Sequence, residues 1–71
     1  MNQDVFEFVV YMIHEAANEK NVTPSHIYQI MKKCGCIDEY MVPLYEVLHT
    51  LGSRAMVHDM EEYAAIRGYS I

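Results

Sequence analysis

Cysteine is scarce in this chain. Cys34 and Cys36 are the only two, set around Gly35, whereas small secreted scaffolds carry a larger even set at wider spacing. A bridge between them would close a strained ring, so the pair reads as two reduced thiols, with Cys34 packed as a small hydrophobe. Long apolar runs are missing too. The run FVVYMI is far shorter than the roughly 20 residues a membrane span needs. The opening MNQDVFEF lacks a basic stretch and carries Asp4 and Glu7, unlike a secretory signal. These features predict a cytoplasmic protein that makes no use of a membrane.

Positive charge is equally thin. Five Lys and Arg stand against ten Asp and Glu, for a formal net charge of -5, while a nucleic-acid binder needs a basic stripe to neutralise phosphates. The largest basic cluster, Lys32 with Lys33, falls where a helix should end and complements its negative pole. A helix-turn-helix DNA-binding regulator is the alternative reading of the passage from Thr23 to Leu51. Its candidate recognition helix, MVPLYEVLHT, offers no Arg, Lys, Asn or Gln to base edges. The chain also lacks a Gly-rich phosphate loop, a nucleophile elbow and a zincin helix. Cys34, Cys36, His49 and His58 do not follow finger-type metal spacing. No enzyme activity, metal or cofactor is expected.

What is present is apolar side chain: 52% of the residues are hydrophobic, with six Met and six Tyr in 71 residues. A chain this short buries only about 60% of the surface its unfolded form exposes. The surplus predicts an adaptable contact surface, with Phe8, Val10, Tyr11 and Tyr45 as its exposed members.

Gly and Pro punctuate four segments with helical periodicity. The predicted fold is all-α, a single domain over residues 1–71 built as a compact bundle of four to five short helices. The first helix covers 4–20, with Val5, Phe6, Val9, Met12, Ile13 and Ala16 on one face. Val10 and Ala17 widen that face on one flank and Phe8 on the other. Thr23 caps the second helix, Pro24 fits its first position, Val22 staples against Ile27, and Gly35 closes it with Cys36 lying against Met31. Asp38 is the expected cap of a short turn over 38–42, stapled by Ile37 and Val42. Pro43 then kinks or interrupts the third helix, which continues over 43–51 with Ile37, Met41, Leu44, Leu48 and Leu51 facing inward. The last segment starts at Ser53 and ends at Gly68. It is either one helix to Arg67 or two, the second started at Met60 by the Asp59 and Glu62 capping box.

The stretch YEVLHTLG, residues 45–52, holds the candidate site. Spacings of three and four put Tyr45 and Glu46 within reach of His49. The plain role of His49 is that of a helix-end cation bonding a free carbonyl; the functional one is contact with another protein. His58, beside Asp59, reads as part of a helix start. The candidate partner-binding residues are Tyr45, His49, Thr50, Phe8 and Tyr11. The partner is another protein, with a homodimer as the first expectation.

The order FVVYMIHEAANEKNVTPSHIYQIMKKCG, IDEYMVPLYEVLHTLG, VHDMEEYAAIRG resembles, over nearly the whole chain, the bacterial domain-of-unknown-function family DUF3791. Its most specific part is Tyr45-x-Val47-Leu48-His49-Thr50, followed by the acidic pair Asp59 and Glu62 and the closing Arg67-Gly68. The resemblance implies a bacterial source and a small helical fold, and it implies no activity. Members are often encoded beside a gene of ADP-ribosyltransferase-like type, so the resemblance implies an accessory or antitoxin-like partner role.

Overall fold

The computed structural model describes residues 1–71. Helix α1 spans Gln3–Lys20, α2 Pro24–Cys34, a π-helical turn Ile37–Met41, α3 Tyr45–Leu48 and α4 Ser53–Ile66. No strand is formed, so the all-α bundle expected from the periodicity is the fold.

Helices α1, α2 and α4 pack against one another and enclose the core. From α1 come Val5, Val9, Met12, Ile13, Ala16 and Ala17, from α2 Ile27, Met31 and Cys34, and from α4 Met56, Val57, Met60 and Ala64. The π-helical turn adds Ile37 and Met41, and α3 adds Leu48 alone. Methionine fills most of the centre: Met12, Met31, Met41, Met56 and Met60 are buried, and only Met1 is outside. The inward places expected of Met12 and Met41 are therefore found, and Met56 and Met60 join them. An unbranched thioether adapts to the irregular gaps between helices that cross at different angles, so a bundle with so few residues uses it inside.

The helix ends follow their residues. Asn2 caps α1 by accepting from the Val5 N–H at 2.9 Å. At the other end Asn21 takes a left-handed φ of 58°, and Val22 N–H donates to the Ala17 carbonyl at 3.0 Å, the backbone bond of a Schellman ending. Thr23 caps α2 through the His26 N–H at 3.1 Å. Gly35 closes α2 at φ 87°. At Gly68, also at φ 87°, Tyr69 N–H donates to the Ala64 carbonyl at 2.9 Å.

Between α2 and α4 the structure departs from expectation. Asp38 caps nothing. The chain re-enters helical geometry straight after Gly35, and Asp38 instead accepts a bond from the Lys32 ammonium at 2.9 Å. Val42 N–H reaches back to the Ile37 carbonyl at 3.0 Å, the wider repeat that defines a π-turn. Pro43 has no N–H to continue this ladder, and α-helix resumes only at Tyr45. The third helix is therefore interrupted as predicted, but it lasts four residues in place of the expected 43–51. On that short span it buries Leu48, and Leu44 and Leu51 are exposed, against the inward stripe expected of them.

Two further corrections concern the long helices. Phe6, expected in the core face of α1, is 54% exposed. Its neighbours Val5 and Val9 occupy that face, and it falls on the outer flank beside Val10. Helix α4 is continuous through Asp59, so neither Asp59 nor His58 starts a helix. Asp59 accepts the Tyr40 hydroxyl at 3.3 Å, and Tyr40 stacks on Tyr63 with ring centroids 5.3 Å apart. These contacts fasten the π-turn to α4. Lys20 ties the end of α1 to Glu61 of α4 at 2.7 Å, a partly exposed pair worth up to about 1 kcal/mol.

Candidate functional site

The π-turn and Pro43 set where α3 sits. Leu48 anchors it to the core, and Tyr45, three residues earlier, is turned toward α1, where its ring meets Phe8 edge-on with centroids 5.5 Å apart and planes at 71°. That contact half-buries both rings and corrects the expectation that Phe8 and Tyr45 stand free. Such aromatic pairs contribute about 0.5–1.5 kcal/mol beyond their buried area.

On the far side of Tyr45 lies His49, one turn on, with ring centroids 4.6 Å apart and planes at 16°. Phe8, Tyr45 and His49 thus form a three-ring ladder with Tyr45 in the middle. His49 is the residue that ends α3, but its ring bonds no free carbonyl there. Thr50 does so, its hydroxyl donating to the Val47 carbonyl at 2.8 Å. Tyr11 is exposed and its hydroxyl reaches along α1 to Glu15 at 3.4 Å. No ring contact joins it to the ladder.

The Tyr45 hydroxyl sits in an acidic neighbourhood. Partial burial pushes its pKa up, and the carboxylates of Asp4, Glu46 and Glu7 push it further. Those carboxylates come from the first turns of α1 and from α3 itself.

Sequence reasoning missed the largest feature of this region. Leu44, Val47 and Leu51 are all exposed, Val47 by 65%. Their spacing of three and four residues reads equally well as an inward stripe, and the π-turn before α3 and the shortness of that helix leave them outside. The two surface depressions lie elsewhere, one beside His14, Asn18 and Pro24 and one beside Glu61, Gly68 and Tyr69. Neither contains Tyr45 or His49. No three His, Cys, Asp or Glu side chains gather closely enough to hold a metal ion. No helix is long and apolar enough to cross a membrane.

The cysteines lie inside. Both are buried and unbridged, and burial, first among its causes, pushes the Cys36 thiol up to about 12. The thiolate is the reactive form, so Cys36 should resist a thiol reagent in the native chain at pH 8 and react once urea unfolds it. Fast labelling of Cys36 without denaturant would contradict this packing. The same shift has a linkage consequence. The folded thiol keeps its proton up to about 12, while the unfolded thiol loses it near the ordinary 9.0. Its contribution to stability is therefore complete below about pH 9 and is lost as pH rises toward 12.

Of the residues in the family-like signature, Tyr45, His49 and Thr50 build the ladder and the end of α3. Asp59 holds Tyr40, and Arg67 lies over the Tyr63 ring, 3.7 Å from its centroid. Glu62 is exposed, 3.7 Å from His58. Neither a curated protein nor a solved structure matches the chain. The family described as Protein of unknown function (DUF3791) matches residues 7–66, nearly the whole helical bundle with the ladder and the Tyr40–Asp59 contact inside it, and the chain belongs to that family.

Proposed function

We propose that this chain is a non-enzymatic protein-interaction module that docks through the outward face of α3. The observation that carries this reading is the exposure of Val47 on α3 and of Leu44 and Leu51 in the segments that flank it, beside an aromatic ladder that holds the helix in place. Apolar surface left in water forgoes about 25 cal/mol per Å² that a partner can recover. Clustered exposure of this kind marks interaction sites more often than scattered single residues do.

Two forms of the function share this face. In one, two copies pair as a homodimer. In the other, the chain is an accessory or antitoxin-like partner of a neighbouring ADP-ribosyltransferase-like gene product. DNA binding has less support, because the would-be recognition helix is the single turn Tyr45–Leu48 and carries Glu46.

Light scattering of the chain alone, and co-purification after co-expression with the neighbouring gene product, test the reading. The native chain is expected to form a dimer or a complex. Val47→Asp should abolish either, and His49→Ala should weaken association more than it lowers the melting temperature. A native chain that is monomeric and binds nothing, indistinguishable from Val47→Asp, would contradict the proposal.

A further inference from the structure

Residues 43–52 are tied to the bundle more weakly than the elements on either side. Leu48 is the one buried side chain between Met41 and Met56, and the Tyr45 ring reaches α1 through its edge-on contact with Phe8. Backbone bonds donated in this stretch run only three or four residues back, from Leu44 N–H to the Tyr40 carbonyl through to Leu51 N–H and the Leu48 carbonyl. The Thr50 hydroxyl also bonds locally, to Val47. By contrast, polar contacts cross between elements on both sides: Lys32 to Asp38, Tyr40 to Asp59, and Lys20 to Glu61.

The boundaries of the stretch suit separation. Pro43 interrupts the backbone ladder, and no side chain caps α3 at Leu44 or α4 at Gly52. A single helical turn is not stable on its own, so the bonds of α3 are lost together once Leu48 and Tyr45 leave the bundle. We infer that residues 43–52 form a latched flap that opens as one unit while α1, α2 and α4 stay packed, with Leu48 and the Tyr45–Phe8 contact as the latch. Opening uncovers Phe8 and the place that Leu48 fills in the core. This is a property of the chain alone and holds whatever docks on the outward face of α3. Segments with few buried apolar contacts open at lower free energy than the whole fold.

The test is native-state amide hydrogen exchange of the ¹⁵N-labelled full chain, read residue by residue. Amides of Leu48, His49 and Leu51 should exchange at least about tenfold faster than those of Met12, Met31 and Met60. Low urea should leave the flap rates nearly unchanged while those of the three long helices climb, because opening exposes far less surface than unfolding. Ile27→Val, early in α2, should speed the helix amides about threefold or more. It should leave the flap amides alone, since Ile27 stays packed when the flap is open. Tyr45→Ala, which removes the ring from the latch, should speed the flap amides about threefold or more.

Flap amides that exchange at the rate of the helices, with the same urea slope and the same response to Ile27→Val, would overturn the inference, because α3 would then leave only with the whole bundle. Flap amides with no protection would overturn it as well, since no latch would hold them. So would a Tyr45→Ala chain whose flap amides keep the native rates.

Discussion

Replacing Met60 with Ala should lower the unfolding free energy by about 2–5 kcal/mol, read as a fall in the urea midpoint with little change in slope. Met60 is fully buried on α4, among side chains contributed by α1, α2 and the π-turn. Truncation removes its transfer energy and leaves a cavity that three packed helices cannot close. Total stability at about 0.05–0.15 kcal/mol per residue would be no more than a few times this loss, so the variant should be partly unfolded when warmed. Met60→Leu keeps the volume and should cost less than about 1.5 kcal/mol. If the two variants were equally mild, the centre of the bundle would be looser than described.

Gly35→Ala should destabilise by about 1–2 kcal/mol through backbone strain alone. At φ 87° this residue is in the left-handed region, where a Cβ crowds the following carbonyl. An added Cβ would also collide with the Glu39 carboxylate, which folds back over Gly35. Glu39 additionally donates its own N–H to the Gly35 carbonyl at 2.8 Å, so the turn between α2 and the π-turn is tightly determined. The two causes separate in a double-mutant cycle. With Glu39→Ala in place, the collision is gone and only the strain should persist. A Gly35→Ala cost that vanished in that background would assign the whole effect to the carboxylate.

The first two helices were legible because their signals are local. Thr23, Pro24 and Gly35 each act on the backbone within one turn, and a cap or a left-handed closure needs no distant partner. The segment from Ile37 to Leu51 was not legible for the opposite reason. Asp38 has the side chain of a cap, but the chain leaving Gly35 is already helical, and the Lys32 ammonium takes the carboxylate. A π-turn also shifts the phase of every later side chain, so a stripe extrapolated from Ile37 through Leu51 assigns Leu44 and Leu51 to the wrong side.

The candidate site was half legible for related reasons. Tyr45 and His49 stand together because a spacing of four survives in a helix of one turn and its exit, and Thr50 closes that exit on the Val47 carbonyl. Phe8 joins them through a tertiary contact that its place on the flank of α1 permits but does not specify. Tyr11 shares that flank and stays apart, since α3 is too short to cover a second turn of α1. The burial of the methionine thioethers could not be read from composition, although helical periodicity placed Met12 and Met41 inward. Whether methionine faces a core or a partner depends on the gaps left between helices, which exist only once the helices pack.

The most direct test of the central claim is a thermal melt of the triple variant Leu44→Ser, Val47→Ser, Leu51→Ser. If α1, α2 and α4 carry the fold and the α3 face serves another molecule, each exposed substitution costs within about 0.5 kcal/mol, and the melting temperature stays within a few degrees of the native chain's. A drop as large as that of Met60→Ala would show that these side chains hold the chain itself together, and the docking surface would not exist.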